Sequence, residues 1–164
     1  MSSKSIDLLN KAVADELSAV HQYMYFHFHC DDQGYDLLAG LFKKTAIDEM
    51  IHVEALAERI LFLQGDVQMN TAEQVKPIRL VKDMLQLARD MEKESAKEYN
   101  HWANECAANA DAISKQLFES LVGDEEKHFD QFDTELDNLT RFGDSYLALQ
   151  SIERSKNISS RPSE

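Results

Sequence analysis

The sequence predicts an all-α protein, a bundle of four long helices with one long connection and a short fifth helix at the end. Three observations support this fold class. Apolar residues recur at helical spacing through most of the 164 residues, only five glycines and two prolines interrupt them, and the spacing is lost in one long internal stretch. A chain of this length can bury its own hydrophobic core, so we expect one domain.

The first half of the chain predicts two helices joined by a short turn. The first spans about residues 5–33 and ends at Gly34, because glycine readily takes the left-handed conformation that follows many helices. The second spans about residues 35–64 and ends at Gly65. Helical spacing is absent from residues 66–79, which we expect to form the one long connection of the bundle.

The second half of the chain repeats this arrangement. A third helix is expected over residues 80–109, and Asp111 can cap a fourth that continues to about Thr140, with a local kink at Gly123. Four helices of roughly 25 to 30 residues would each be about 40 Å long. Short turns within each helix pair and a long connection between the pairs match a known topology of four-helix bundles.

The two ends of the chain carry further expectations. A short fifth helix is expected over residues 144–152, and the polar residues 155–164 predict a disordered tail, which leaves residues 1–154 as the folded domain. The N-terminus, Met1 to Ser5, leads straight into the first helix, so we expect no signal peptide.

The composition argues against two classes of protein. A formal net charge of -13 would repel the phosphate backbone of nucleic acid, so no nucleic-acid partner is expected. No apolar run approaches the roughly 18 residues that a membrane-spanning helix needs. We therefore expect a cytoplasmic protein that works away from membranes, with an acidic surface that could attract cations such as Fe²⁺.

The two cysteines, Cys30 and Cys106, are predicted to be free thiols. Cys30 follows Glu16 by fourteen residues, and Cys106 follows Glu92 by the same number. If the first and third helices run antiparallel with the two glutamates level, the cysteines lie about 40 Å apart. That separation is too large for a disulfide within the chain.

Each of the four apolar stripes is interrupted near its middle by ionisable residues. The first and third helices contribute one glutamate each, and the second and fourth contribute one Glu-x-x-His motif each. The six residues are Glu16, Glu49, His52, Glu92, Glu125 and His128. Four carboxylates that converge inside a bundle would lose hydration and repel one another unless cations lie among them.

The types and spacing of these six residues suit two iron ions. Carboxylates supply negative charge and can bridge two metals, while imidazole is a ligand that Fe²⁺ accepts. Residues three apart on a helix share a face, so both members of each Glu-x-x-His motif point at one centre. One glutamate from each of two helices and a Glu-x-x-His motif from each of the other two is the arrangement of di-iron helical bundles.

Other ionisable residues compete less well for this centre. Asp90 and Glu94 flank Glu92 but fall off the apolar stripe of the third helix. A further Glu-x-x-His motif starts at Glu98, but its His101 lies about half a turn away from the inward face. The other histidines are expected elsewhere: His27 as a satisfied core residue, and His21 and His29 at the surface or an interface.

Several segments match one known family over nearly the whole chain. They are Leu9-Asn10, Glu16-Leu17 through Gln22-Tyr23, Ile47-Asp48-Glu49-Met50-Ile51-His52, Arg59 to Leu63, Met84 to Gln86, Glu125-Glu126-Lys127-His128 and Tyr146-Leu147. The chain thus resembles the bacterioferritins of the ferritin-like superfamily. The resemblance implies a ferritin-like four-helix bundle whose six ligands hold a di-iron ferroxidase centre within one subunit. It also implies a hollow shell of about 24 subunits, built from two-fold dimers, that stores ferric mineral.

The resemblance suggests a role for each residue of the centre. Fe²⁺ would be oxidised by O₂ or H₂O₂, with Glu49 and Glu125 bridging two irons and His52 and His128 each binding one. The remaining two glutamates would be terminal ligands. Tyr23 would be a redox-active or hydrogen-bonding neighbour of the centre, and core packing is its alternative role.

Bacterioferritins also bind haem b between two subunits, with one methionine from each subunit on the haem iron. Met50 occupies the matching position, and an ordinary interface methionine is the alternative interpretation. The surroundings depart from the family, since His21 replaces a usual asparagine and Lys43 a common aromatic residue. Lys44 replaces the histidine of an extra iron site that some relatives carry, although Asp48 remains.

Two other kinds of function use similar features. A rubrerythrin-like peroxidase or a di-manganese catalase would have similar ligands, although rubrerythrins usually add a Cys-rich module that this sequence lacks. A non-enzymatic helical interaction module would bind no metal and would not depend on the six ligands.

Overall fold

A computed structural model of the chain describes residues 3–162, and within that range it contains helices and no strand. The helices are α1 (Ser3–Asp32), α2 (Asp36–Phe62), α3 (Val81–Ala108), α4 (Ala112–Phe142) and α5 (Asp144–Ser159). The predicted bundle with a long connection and a fifth helix is confirmed. Among the described helices, none combines enough length with enough apolar character to span a membrane. Met1 and Ser2, on which the expectation about a signal peptide partly rests, lie outside the described residues, as do residues 163 and 164 of the predicted tail.

The connection between α2 and α3 runs alongside α1 and sets the direction of α3. Helix α1 packs on α2 and α3 packs on α4, while contacts of α1 with α3 and of α2 with α4 join the two pairs. In order along both segments, the hydrogen-bonded partners are Asn10 with Asp66 and Gln68, Ser18 with Ala72 and Glu73, and Gln22 with Lys76. Because the connection runs parallel to α1, α3 begins where α1 ends and runs antiparallel to it.

The turns after α1 and α2 use their glycines for different reasons. Gly34 has φ +81 and allows the α1–α2 turn, as predicted. After α2 the left-handed residue is Gln64, with φ 63, and not Gly65. Gly65 is needed for space, since a Cβ there would lie 2.8 Å from Cγ2 of Ile6.

Asp111 caps α4 as predicted and also anchors the α3–α4 turn to α2. Its carboxylate accepts a hydrogen bond from the backbone N–H of Ser114 at 3.1 Å. Arg59 of α2 donates hydrogen bonds to both residues, to Asp111 Oδ1 at 2.6 Å and to Ser114 Oγ at 2.9 Å. Gly123, where a kink was expected, lies within an unbroken helix.

Helix α5 is longer than predicted. It continues to Ser159, so the first part of the predicted disordered tail is helical. Two contacts hold α5 against the α1–α2 turn. The Ser151 hydroxyl donates to the Gln33 carbonyl oxygen at 3.2 Å, and the Arg154 guanidinium lies 3.3 Å from the Asp36 carboxylate. Once a helix is anchored, further polar residues extend it at little cost, because only the first turn is expensive to form.

The bundle core consists of two apolar clusters with an ionisable layer between them. The α3–α4-turn cluster includes Leu9, Val13, Leu56, Ile60, Trp102 and Phe118. The α1–α2-turn cluster includes Phe26, Leu38, Phe42, Met84, Leu85 and Phe132. Cys106 belongs to the first cluster and Cys30 to the second, and both thiols are free, which confirms the prediction.

Candidate metal centre

The six predicted ligands meet in one layer at mid-height of the bundle. Helices α1 and α3 supply one glutamate each, and α2 and α4 supply a glutamate and a histidine one turn apart. None of the six residues is more than 5% exposed. The layer therefore brings four carboxylates and two imidazoles together out of contact with bulk water.

The six residues form two overlapping groups, each able to surround one metal ion. The first group contains Glu16, Glu49, His52 and Glu125, and the second contains Glu49, Glu92, Glu125 and His128. Within each group, one ligand atom per residue lies within 4.8 Å of all the others. Glu49 and Glu125 belong to both groups, so these two carboxylates are placed to bridge two ions.

The layer leaves buried polar atoms without hydrogen-bond partners in the described part of the chain. These atoms are both carboxylate oxygens of Glu49, Oε2 of Glu92, Oε1 of Glu125 and Nδ1 of His128. A buried polar atom without a partner normally costs about 1–3 kcal/mol. Their convergence on one small volume fits two cations, which would give every one of these atoms a ligand bond.

Burial and mutual repulsion set the protonation of the layer. Burial raises the pKa of Glu49 well above its usual value, and the charges of Glu16 and Glu92 raise it further; the pKa of Glu125 is raised for the same reasons. Burial alone would lower the pKa of His52, but its contacts with surrounding glutamates outweigh burial and raise it. Protons thus balance part of the negative charge, and bound cations would displace them.

Glu92 and His128 lie close enough to influence each other's charge, although their contact is not a hydrogen bond. His128 Nδ1 lies 3.5 Å from Glu92 Oε2. Burial would raise the pKa of Glu92, but the interactions with His128 and other neighbours outweigh burial and lower it. The same interaction helps to raise the pKa of His128 against the effect of burial.

Each histidine is oriented from outside the layer by an aspartate. His52 Nε2 lies 3.3 Å from Asp124 Oδ2, and His128 Nε2 lies 3.3 Å from Asp48 Oδ2. These contacts turn both Nδ1 atoms toward the glutamates, an arrangement typical of metal-binding histidines. The sequence interpretation missed this role for both aspartates. The repeat in α2 and α4 is in fact Asp-Glu-x-x-His, which could have indicated it.

Two tyrosines hydrogen-bond the glutamates of α1 and α3. The Tyr23 hydroxyl donates to Glu92 Oε1, and the Tyr99 hydroxyl donates to Glu16 Oε1 at 2.6 Å. Burial raises the pKa of both hydroxyls well above its usual value, so they remain protonated donors. The sequence interpretation gave Tyr99 no role at the centre, although Tyr99 follows Glu92 by the seven residues that separate Tyr23 from Glu16.

Two surface cavities reach the layer from opposite sides. A cavity of about 370 Å³ between α1, α3 and the connection has Tyr23 and Glu92 in its wall, and its other acidic residues are Asp15, Glu73, Asp90, Glu94 and Glu98. Burial and the Glu98 carboxylate raise the pKa of Asp15 to about 7. A second cavity of about 280 Å³ between α2 and α4 contains His52 and His128, with two lysines paired to the two orienting aspartates. Only the first cavity carries a strong excess of carboxylates.

The residues that competed for the centre lie outside it. Asp90 and Glu94 are exposed, and His101 is an exposed residue paired with a glutamate of its own helix. His27 is hydrogen-bonded as predicted, with Nδ1 2.7 Å from a carbonyl oxygen of α2, but it is half-buried and not a core residue. Of the remaining two, His21 is exposed and His29 is half-buried.

Met50 lies on the face of α2 that points away from the centre. Its side chain is 47% exposed, beside the exposed Ile47 one turn earlier, and Lys43 and His21 are also exposed. An exposed thioether beside an apolar residue fits contact with a haem edge or with another subunit. A ligand role for Met50 needs a second copy of the chain, so it stays a prediction.

Comparison with known proteins agrees with this geometry. Residues 6–142 match the ferritin-like domain family. A bacterioferritin of Desulfovibrio desulfuricans is 35% identical over 146 residues, which cover 89% of this chain and 82% of the relative. A bacterioferritin of Brucella melitensis is 36% identical over 144 residues, covering 86% and 88% of the two chains.

A solved structure gives the same result in three dimensions. The crystal structure of the Desulfovibrio desulfuricans bacterioferritin, described as having a di-iron site in different catalytic states, aligns with a TM-score of 0.89. The alignment has 34% sequence identity and covers 91% of this chain and 87% of that one. The bundle is therefore a ferritin-like fold, and its glutamate and histidine cluster is suited to a di-iron site. This chain belongs to the bacterioferritin family of ferritin-like proteins.

Proposed function

We propose that this chain is a ferroxidase that oxidises Fe²⁺ to Fe³⁺ in the central layer and stores the product in an oligomeric shell. One observation carries the proposal: two four-residue groups share Glu49 and Glu125, and five buried atoms of Glu49, Glu92, Glu125 and His128 have no hydrogen-bond partner within residues 3–162. Two Fe²⁺ ions would satisfy these atoms and neutralise the buried charge.

The six ligands would divide into three kinds. Glu49 and Glu125 would bridge the two ions, since each belongs to both groups. Glu16 with His52 would complete one ion's ligands, and Glu92 with His128 would complete the other's. Carboxylates favour Fe³⁺ over Fe²⁺ because they stabilise the higher charge, so this ligand set assists oxidation.

The reaction uses iron as substrate and needs an external oxidant. Two Fe²⁺ ions lose one electron each, and H₂O₂ accepts both electrons with two protons to leave as two water molecules; O₂ is the other candidate oxidant. The chain holds the two irons side by side and limits the access of bulk water. The aspartates behind the histidines keep the imidazole rings in their binding orientation.

The acidic cavity between α1 and α3 supports approach of Fe²⁺ from that side. Its six carboxylic residues, which include the predicted ligand Glu92, outnumber its one lysine, Lys76. A cleft with an excess of one charge concentrates ions of the opposite charge. The cavity between α2 and α4 has balanced charges and would attract Fe²⁺ less.

The wider setting is also part of the proposal. About 24 copies would form the shell from two-fold dimers, and haem b would bind between two copies through Met50. The cytoplasm is the proposed compartment. Sedimentation of the purified protein and its visible absorption spectrum test the shell and the haem separately.

Stopped-flow oxidation of Fe²⁺ by the metal-free protein tests the proposal. Loss of a residue that only hydrogen-bonds a metal ligand typically lowers activity by about 10- to 100-fold. Glu49→Ala and His128→Ala remove ligands themselves, so each should slow oxidation by more than that. Glu54→Ala and His101→Ala are matched controls, because both residues are exposed on the same bundle and neither lines the acidic cavity. The controls should oxidise Fe²⁺ at the unchanged rate.

Two results would contradict the proposal. Equal rates in the ligand variants and the controls would show that oxidation does not occur in the central layer. Manganese in place of iron in a small dimer, with rapid destruction of H₂O₂, would favour the di-manganese catalase instead.

A further inference from the structure

We propose that Tyr99 and Tyr23 are a matched pair of positioning residues, each of which sets the affinity of one of the two metal positions. This inference rests on the proposed function only in taking the central layer as a two-metal site. Tyr99 would act on the position that contains Glu16, and Tyr23 on the position that contains Glu92.

Each of the two tyrosines hydrogen-bonds the glutamate of the other helix. Tyr23 stands on α1 and donates to Glu92 on α3, while Tyr99 stands on α3 and donates to Glu16 on α1. Each tyrosine follows the glutamate of its own helix by seven residues, about two turns. Because the helices are antiparallel, the tyrosines lie on opposite sides of the layer, and each reaches back to the other helix's glutamate.

The position of each hydroxyl is set by aromatic packing in a different cluster. The Tyr99 ring lies against Trp102 and Phe118, with ring centroids 5.6 and 5.7 Å away. The Tyr23 ring lies against Phe132, with centroids 5.4 Å apart. Both tyrosines are fully buried, so neither ring can turn away into solvent. Each hydroxyl is therefore a donor held in place before any metal arrives.

The hydrogen bonds act on the glutamates that belong to one metal group only. Glu16 is in the first group and Glu92 in the second, whereas within residues 3–162 the two shared glutamates accept no hydrogen bond from a tyrosine hydroxyl. For Glu92, the tyrosine engages Oε1 and leaves Oε2 without a hydrogen-bond partner in the described chain. A donor on one oxygen fixes the carboxylate and leaves the other oxygen free to bind, which reduces the ordering that the metal must impose.

The alternative is that both tyrosines only fill the core. Replacement by phenylalanine separates the two roles, because it keeps the ring and removes the hydroxyl. If packing is the whole role, Tyr99→Phe and Tyr23→Phe leave metal binding unchanged. If positioning is the role, each variant weakens one metal position and spares the other.

Titration with Co²⁺ alone tests this, using the full-length assembled protein after metal removal. Calorimetry counts the binding events, and the visible absorption of Co²⁺ reports its ligands. We expect Tyr99→Phe to weaken one of two events by about tenfold and Tyr23→Phe to weaken the other by a similar factor. Tyr35→Phe is the matched control, since Tyr35 is half-buried at the α1–α2 turn away from the layer.

A double-variant comparison assigns each tyrosine to its glutamate. Glu16→Gln should weaken the same event as Tyr99→Phe, and adding Tyr99→Phe to Glu16→Gln should cause little further loss. If Tyr99→Phe folds poorly, Glu16→Gln takes its place in the comparison. Glu16→Gln should then weaken one Co²⁺ binding event and Tyr23→Phe the other. Thermal unfolding without metal verifies that each variant is folded.

The outcomes separate this inference from the proposed function. Two Co²⁺ events that Tyr99→Phe leaves unchanged, or weakens equally, would overturn the pairing alone. Fewer than two events in the unaltered protein would overturn both the pairing and the proposed centre. Selective weakening in a protein that fails to oxidise Fe²⁺ would support the pairing and contradict the proposed function.

Discussion

The ionisable layer and the apolar clusters on either side of it are built from the same four helices, but they bury opposite kinds of side chain. The clusters pack aromatic and aliphatic side chains with almost no exposed surface. The layer buries six ionisable residues and leaves some of their atoms without partners among the described residues. The difference teaches that the clusters hold the fold, and that the layer is adapted to a ligand that the polypeptide does not itself supply.

Energetic considerations favour the same division of labour. Burying a large apolar side chain stabilises a fold by about 1.5–3 kcal/mol. Leaving a buried polar atom without a partner costs about 1–3 kcal/mol. Two clusters of such apolar residues can therefore support a central layer that is unfavourable without metal. Substitutions in the clusters should reduce stability, whereas substitutions in the layer should reduce metal binding.

The largest expected effect comes from removing an aromatic ring of a cluster. Phe42 is fully buried against Phe26 and Phe132, with ring centroids 5.2 and 5.5 Å away. Phe42→Ala should lower the free energy of unfolding by about 3–5 kcal/mol through lost burial and a cavity. Denaturant unfolding of the metal-free protein measures this. Leu61→Ala, at a residue 61% exposed, should change it by less than about 0.5 kcal/mol. A comparable loss at both positions would contradict the assignment of stability to the clusters.

Metal binding should stabilise the layer by a somewhat smaller amount. With free Zn²⁺ at about ten times the dissociation constant, each occupied position adds about 1.4 kcal/mol, and two add about 3 kcal/mol. The shift in unfolding midpoint on metal addition measures this stabilisation. Glu49→Gln together with Glu125→Gln should abolish the shift, because both residues belong to both groups. A shift that persists in this double variant would place the metal elsewhere.

The same double variant should behave differently without metal. Glu49 and Glu125 are buried carboxyl groups whose pKa values burial and neighbouring charges raise. Amides of nearly the same shape carry no charge, so the metal-free variant should be as stable as the unaltered protein or about 1–2 kcal/mol more stable. Denaturant unfolding in the presence of a chelator provides the measurement. A clear loss of stability would mean that these carboxylates support the fold.

The smallest effect concerns a charged group that does have partners. Burial would raise the pKa of Asp111, but hydrogen bonds from Ser114 and Arg59 lower it to about 2. A lowered pKa stabilises the fold above the unfolded value near 4, and this contribution disappears as the pH falls toward 2. Asp111→Ala should therefore cost about 1–2 kcal/mol at pH 7, and the difference should shrink between pH 4 and pH 2. Asp144→Ala, at an exposed helix start, is the control. A pH-independent difference would exclude the charge as its cause.

Much of this protein could be predicted from the sequence because the relevant patterns are local. The helical repeat places every third or fourth residue on one face, so the apolar stripes and their interruptions by Glu16 and Glu92 could be recognised without coordinates. The same reasoning placed both Glu-x-x-His motifs in the core and His101 on the surface. The capping role of Asp111 also depends only on its immediate neighbours.

Contacts between residues far apart in the chain were decided only by the tertiary structure. Tyr99 meets Glu16, and Asp124 meets His52, because the helices adopt one particular register. That register depends on side-chain packing in both clusters and on the connection held along α1, and neither has a repeat that can be recognised in the sequence. The extended α5 likewise depends on Arg154 reaching the α1–α2 turn. Spacing along a helix determines which face a residue occupies, whereas the partner across the bundle is determined only when the helices pack.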